Sequence, residues 1–265
     1  DIRDMITEVY DIPRDNIVFS ATHTHSSMTP RVSGVAGQKF REQCLEAAKI
    51  ALADRKPAQM YASFGRPENL NYRRHFILTD GTYRAYEMGL IDQSLIYGHL
   101  GQADNLMQLV KFTREGGKDI LLMNHQGHPA GHSEYRNSVV SYIDVVRRNV
   151  EKELDCLFAF TLGASGNVNC TTRIKAENVY RSLYETRGAA LAEKVVEAAK
   201  TTMEPAKTGS IRVLNQTMKA PYKTGNAEGD ITMGAFSMGD LAFVTAPYEM
   251  FCENGEQIKE ASPFS

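Results

Sequence analysis

Strand-like and helix-like segments alternate along this chain, and that order limits its fold more than any other feature. Short apolar or alternating runs predict strands at 17–22, 60–64, 120–124, 156–162 and 211–219, and a hairpin over 235–245. Apolar residues at helical spacing predict helices at 38–54, 141–154, 176–203 and 251–261. This alternation predicts an α/β protein with mixed β-sheets flanked by helices. The polar segment 66–116 shows no clear period and is expected to form long loops.

The charge balance argues against a polyanionic partner. Lys plus Arg number 30 and Asp plus Glu number 32 among 265 residues, so the formal net charge is -2. No nucleic-acid partner is therefore predicted. No run of about 18 apolar residues is present, so no membrane span is predicted. The four cysteines are far apart and include no C-x-x-C pair, which excludes a zinc ribbon.

Five of the seven histidines fall into two groups, and each group follows a predicted strand. His23 and His25 follow the first predicted strand, where residues i and i+2 would share a face. His125, His128 and His132 lie in a loop that contains Gly and Pro. Neutral imidazole is the commonest metal ligand in proteins, and it suits zinc. Two such groups in one chain therefore predict a metal site.

Glu249 is a candidate for a third metal ligand. A catalytic zinc usually has three protein ligands and an open position, and a carboxylate is often one of the three. Glu249 follows Pro247 at the end of another predicted strand. The alternative is an ordinary acidic residue near a helix N-terminus, which the helix dipole favours. From these residues alone, the alternative is the stronger interpretation.

A Gly-rich loop over 162–170 is a candidate for binding an anion or a developing oxyanion. It carries small polar side chains and backbone N–H groups at Gly166, Asn167 and Asn169. It is neither a P-loop nor a nucleophile elbow, because the Gly-Lys-Ser/Thr and G-x-S-x-G patterns are absent. A purely structural turn is the alternative.

These motifs, taken in order, resemble the catalytic domain of the neutral/alkaline, non-lysosomal ceramidases and their bacterial relatives. The matching segments are 21–26 (Ala-Thr-His-Thr-His-Ser), 72–74 (Tyr-Arg-Arg), 127–129 (Gly-His-Pro), 163–169 and 246–249 (Ala-Pro-Tyr-Glu). The resemblance implies a ceramidase-like α/β fold and a zinc amidase that cleaves the N-acyl bond of ceramide. It also implies a secreted or periplasmic location.

Carried over position by position, the resemblance implies three zinc ligands, namely His23, His128 and Glu249. It implies that His25 lies beside the metal, near the substrate carbonyl, and that Arg73 lies near the substrate or the oxyanion. Arg74 is adjacent, and neighbouring residues on a strand point to opposite sides. At most one of the two arginines is therefore expected to enter the site.

Two features depart from the family pattern. The family's nucleophilic serine lies in Gly-Asp-Val-Ser-Pro, whereas this chain has Gly-Asn-Val-Asn-Cys over 166–170, so Asn169 replaces the serine. The family's tyrosine zinc ligand would lie beyond Ser265, and the family domain begins before the 21–26 segment. We therefore expect 1–265 to be a single zinc-hydrolase domain without its native terminal segments.

The sequence thus predicts a zinc-dependent hydrolase that cleaves an amide (N-acyl) bond, with a ceramide-like lipid as the prototype substrate. Metal-activated water would attack the carbonyl, and Asn169 would donate a hydrogen bond to the oxyanion. One alternative is a non-catalytic relative that binds lipid or sugar after loss of the nucleophilic serine. Another is a TIM-barrel amidohydrolase, which also carries H-x-H after its first strand. No partner protein is predicted.

Overall fold

The computed structural model describes residues 1–25, 34–85, 91–129, 141–170, 184–222 and 227–264. Its helices are α1 (Ile2–Tyr10), α2 (Val35–Ala53), α3 (Tyr142–Leu154), α4 (Tyr184–Thr201) and α5 (Cys252–Ala261). Its strands are β1 (Ala58–Gly65), β2 (Tyr72–Arg73), β3 (His75–Leu78), β4 (Tyr83–Ala85), β5 (Ile96–His99), β6 (Met107–Arg114), β7 (Ile120–His125), β8 (Leu157–Leu162), β9 (Val168–Asn169), β10 (Glu204–Pro205), β11 (Ile211–Pro221), β12 (Glu228–Met238) and β13 (Leu241–Thr245).

A mixed five-stranded sheet with the order β10-β1-β6-β7-β8 organises the structure. Strands β7 and β8 are parallel and are joined through α3, while the other neighbouring strands are antiparallel. Leu109 and Met123 from the sheet are fully buried in one cluster with Val146 of α3 and Leu191 of α4. Burial of this apolar surface is the main stabilising contribution to the fold. The predicted α/β class with helix-flanked mixed sheets is confirmed.

The structure also contains smaller sheets, and one of them, formed by β2 and β9, brings candidate site segments together. Strands β11, β12 and β13 form an antiparallel sheet, and β4, β3 and β5 form another. Strand β9 pairs with β2 through Tyr72 and Asn169. Asn169 also forms a parallel β-bridge with His128. The loop after β7 therefore lies directly beside β9, which in turn lies beside β2.

The predicted strand over 17–22 is wrong. Residues 17–24 belong to no strand, and Val18 and Phe19 are each about half exposed. His23 has a φ of 58°, in the left-handed region that an extended strand excludes. An apolar run becomes a strand only where another strand pairs with it, and hydrophobic periodicity does not report that pairing.

The expectation of long loops over 66–116 is also wrong in part. Strands β2 to β5 lie in this segment, and so does β6, a central strand of the main sheet. Met107 and Leu109 of β6 are buried at alternate positions, which is the period of a strand. The polar and Gly-rich surroundings obscured these short strands, whose stability comes from packing against neighbours.

The remaining predicted elements agree with the structure to within a few residues, with two exceptions. The first strand of the hairpin predicted over 235–245 begins earlier, at Glu228, and the helix predicted over 176–203 is only partly described. Helix α4 accounts for the later part of the predicted helix, while 171–183 lies outside the described residues.

The main sheet contains one parallel pair, so it is not a TIM barrel, and that alternative is wrong. None of the described helices has the length and apolar character needed to cross a bilayer.

Candidate metal centre

Three imidazole rings converge at one point of the surface. The Nε2 atom of His25 lies 3.1 Å from Nε2 of His23 and 3.1 Å from Nε2 of His128. One ring nitrogen from each residue lies within 4.8 Å of the other two, so the group could hold a metal ion. A tetrahedral zinc with bonds of about 2.0–2.1 Å separates its ligand atoms by about 3.4 Å. The spacing of the nitrogens is close to that value.

His128 is the most deeply placed member of the cluster. It is 3% exposed, and its Nδ1 atom donates a hydrogen bond to the carbonyl oxygen of Ser165 at 3.2 Å. A carbonyl can only accept, so Nδ1 carries the proton and the Nε2 lone pair faces the other two histidines. Metal-binding histidines are commonly oriented in this way by a backbone carbonyl. The Gly-rich loop thus fixes the ring that follows β7.

His23 and His25 reach the cluster through a turn rather than along one face of a strand. The left-handed backbone at His23 redirects the chain between the two residues. The N–H of His25 donates to the carbonyl oxygen of Pro129 at 3.4 Å, which joins this turn to the His128 loop. His132, the remaining histidine of the second group, lies outside the described residues.

Glu249 follows β13 in the sequence and lies beside the histidines. Its Oε1 atom is 3.5 Å from Nε2 of His23, and its side chain is 57% exposed. The backbone around it packs against the Gly-rich loop, where the N–H of Gly166 donates to the carbonyl oxygen of Met250 at 2.8 Å. A Cβ atom on Gly166 would lie 2.7 Å from the carbonyl oxygen of Glu249. Gly166 therefore permits the close approach that brings the carboxylate to the cluster.

Asn167 and Arg73 belong to a network that holds the start of α5. The buried Asn167 side chain accepts from the N–H of Cys252 at 2.9 Å and donates to Glu253 at 2.6 Å. Arg73 forms an ion pair with Glu253, and its Nε atom donates to the carbonyl oxygen of Gln102 at 2.8 Å. These contacts fix the helix that follows Glu249. The predicted roles of both residues at the substrate stay predictions.

Arg74, the neighbour of Arg73, is the arginine whose charge acts on the cluster. Its Nη1 atom donates to the carbonyl oxygen of Gly166 at 3.3 Å. Burial is the main cause that lowers the pKa of His25, and the positive charge of Arg74 contributes in the same direction. The residues alone left open which of the two adjacent arginines enters the site, whereas the family resemblance implied Arg73, and that role stays a prediction. Adjacent residues on a strand point to opposite faces, but this alternation alone does not show which face lies toward the histidines.

Burial strongly favours the neutral form of two histidines. It lowers the pKa of His128 to about 4, although the hydrogen bond to Ser165 acts in the opposite direction. The pKa of the fully buried His125 falls to about 3, first through burial and then through the nearby charge of Arg187. Neutral imidazole at His128 is the form that binds a metal, so protons compete with a metal only in acid.

The stability of the metal-free protein should therefore fall as the pH drops from about 6.5 to about 3. An unfolded chain protonates His125 near pH 6.5, whereas the folded chain resists protonation until far lower pH, so acid favours unfolding. Thermal melts across this range should show a steep loss of stability in the wild type and a shallower one in His125→Gln. Equal slopes in the two proteins would show that His125 does not drive the loss.

Comparison with known proteins identifies the fold. No protein-family model and no curated protein matches the sequence. Solved structures are similar to this chain, among them "Ceramidase complexed with C2", which has a TM-score of 0.73 at 12% identity, covering 98% of this chain and 55% of that chain. Neutral ceramidase from Pseudomonas aeruginosa has a TM-score of 0.62 at 11% identity, with 85% and 46% covered. The fold is ceramidase-like.

The predicted ceramidase-like fold is thus confirmed over most of the chain. The chain spans about half the length of these two ceramidase structures. At 11–12% identity the likeness establishes the fold and leaves the activity to the residues of the site.

Proposed function

We propose that this chain is a zinc-dependent hydrolase that cleaves an amide (N-acyl) bond, with a ceramide-like lipid as the prototype substrate. The observation that carries the proposal is the convergence of three histidines and one carboxylate on a ceramidase-like fold. Imidazole nitrogens with one carboxylate oxygen form a donor set that zinc takes in catalytic sites. Softer metals would favour a thiolate, but the described cluster contains no cysteine.

In this proposal His23, His128 and Glu249 hold the ion, and His25 lies beside it near the substrate carbonyl. A bound zinc ion acts as a Lewis acid on a carbonyl group and makes water a stronger nucleophile at neutral pH. The hydrogen bond from His128 to Ser165 keeps that imidazole in one orientation. The exposed Glu249 side chain can shift by a small amount to complete the ligand set.

Two polar groups are proposed to act on the reacting amide. Arg74 supplies a positive charge close to the histidines, where an oxyanion would develop on the carbonyl. Asn169 lies next to His128 through their β-bridge, and its amide group is a hydrogen-bond donor suited to the same oxyanion. A leaving amine requires a proton, and the neighbouring imidazole of His25 is the proposed carrier.

Apolar side chains beside the cluster support a lipid-like substrate. Tyr248 and Phe251, on either side of Glu249 in sequence, are 48% and 49% exposed. Exposed apolar side chains mark a binding site where they form a contiguous patch rimmed by polar groups. An acyl or sphingoid chain would cover this surface, while the amide reaches the histidines.

Zinc-dependent turnover tests the proposal. The purified chain, stripped with a chelator, should not hydrolyse a short-chain fluorescent ceramide, and one equivalent of zinc should restore hydrolysis. The second candidate function is a binding protein without turnover, which the asparagine at position 169 favours. Ceramide binding with no hydrolysis in the presence of zinc would support that candidate and contradict the enzyme.

Asn169→Ser should raise ceramide hydrolysis, because it returns a hydroxyl nucleophile to the position beside His128. Asn169→Ala is the matched control, since it removes the amide without supplying a nucleophile. We expect that variant to lose about 10²-fold in kcat through loss of the oxyanion donor. A serine variant no faster than the wild type would contradict this expectation and indicate that metal-activated water, the proposed nucleophile of the wild type, is still the nucleophile in the variant.

A further inference from the structure

Arg187 is a buried cation at the start of α4, outside the candidate metal centre. Its side chain is 2% exposed, and no carboxylate in the described part of the chain forms an ion pair with it. A buried charge without a counter-ion is unfavourable unless hydrogen bonds and other contacts compensate for its lost hydration. The contacts of Arg187 therefore indicate what this residue holds in place.

The guanidinium joins two of the segments that form the candidate site. Its Nη1 atom donates to the carbonyl oxygens of Leu70 and, at 2.9 Å, of Cys170. Its Nη2 atom donates to Oδ1 of Asn71 at 3.1 Å. Leu70 and Asn71 lead into β2 and the two arginines, while Cys170 follows Asn169. A planar guanidinium can hold several acceptors in fixed directions, which a lysine cannot do.

Tyr142 extends these contacts to the third segment. The guanidinium carbon of Arg187 lies 4.5 Å from the centroid of the Tyr142 ring, in a cation–π contact. The Tyr142 hydroxyl donates to the carbonyl oxygen of Gly127, the residue before His128. A Cβ atom on Gly127 would lie 2.8 Å from both Asn71 Oδ1 and the Tyr142 hydroxyl. The loop that carries His128 therefore packs closely against Arg187 and Tyr142.

We propose that Arg187 and Tyr142 form a buried clamp that positions the segments 70–71, 127–128 and 169–170 at the candidate metal centre. Both are positioning residues, because neither belongs to the histidine cluster. The clamp rests on contacts present without a metal, and only its effect on zinc depends on the proposed function. Burial raises the pKa of Tyr142, so its hydroxyl keeps the proton that it donates.

Hydrogen–deuterium exchange of the metal-free protein tests the clamp directly. Arg187→Lys should speed amide exchange in all three clamped segments, whereas Tyr142→Phe keeps the aromatic ring and should speed exchange only around 127–128. Leu191→Ala is the control, because Leu191 is fully buried on the same helix and packs in the apolar cluster with Tyr142 but has no side-chain hydrogen bond to lose. That variant should destabilise the fold without selectively loosening the three segments. Unchanged exchange around 127–128 in Tyr142→Phe would overturn the proposal, as would the same selective pattern in Leu191→Ala.

Zinc affinity provides the second readout, measured by competition with a chelator at a temperature where every variant is folded. Loss of residues that orient metal ligands commonly weakens metal binding by about 10–100-fold. We expect a loss in that range for Arg187→Lys and Tyr142→Phe, with Leu191→Ala close to the wild type. Equal affinity in all four proteins would overturn the clamp's role at the metal. A wild type that binds no zinc would refute the proposed function, while the exchange experiment would still decide the clamp.

Discussion

His128→Ala will remove stoichiometric zinc from the protein, and hydrolysis will be lost with it. His128 is the buried member of the cluster, and its ring is held by the carbonyl oxygen of Ser165. Alanine removes the proposed nitrogen ligand at the most buried position of the cluster, and the two remaining histidines lie on a more exposed turn. Elemental analysis should find about one zinc per wild-type chain and almost none in the variant.

His99→Asn is the control for this experiment. His99 is a partly buried histidine whose Nδ1 atom bonds the carbonyl oxygen of Arg73 at 2.7 Å, and it lies outside the cluster. Its replacement should leave the zinc content unchanged. One equivalent of zinc retained in His128→Ala would show that the metal does not depend on His128 and binds at another site.

Arg74→Gln should lower kcat by about 10²–10³-fold, the effect of removing a donor to a developing oxyanion. The fold should change little, because glutamine can still donate to the carbonyl oxygen of Gly166. Arg73→Gln is the matched variant one residue away. It breaks a partly buried ion pair with Glu253 and should destabilise the fold by about 1–3 kcal/mol. We expect it to lower kcat less than Arg74→Gln does.

Steady-state kinetics and thermal melts of the two variants separate these roles. The expected pattern is a large loss of kcat with a nearly unchanged Tm for Arg74→Gln, and the opposite for Arg73→Gln. A large loss of kcat in Arg73→Gln at an unchanged Tm would instead support the role that the family resemblance implies for Arg73.

Apart from the central strand β6, the sequence predicted the elements that build the core better than the geometry of the site. Helix α3 begins after Ser141, whose side chain accepts from the N–H of Ile143, and its amphipathic spacing is evident in the sequence. The central strand β7 is equally clear as an apolar run. Such signals are local, so a single sequence contains them.

The geometry around the histidines depends on contacts between distant segments. The sequence predicts that His23 follows a strand over 17–22 and shares a face with His25, whereas its left-handed backbone forms a turn that still brings its ring against His25. Which arginine faces the cluster depends on the pairing of β2 with β9, which local periodicity cannot reveal. The buried Arg187 had no signal in the sequence, because a helical arginine is usually solvated.

We propose that His23, His128 and Glu249, which are far apart in the sequence, assemble one zinc site. An anomalous difference map at the zinc absorption edge, from crystals of the zinc-loaded protein, tests it most directly. We expect one peak about 2.0–2.2 Å from Nε2 of His23, Nε2 of His128 and a carboxylate oxygen of Glu249. A map with no peak among these three residues, or with its peak at another site, would contradict it.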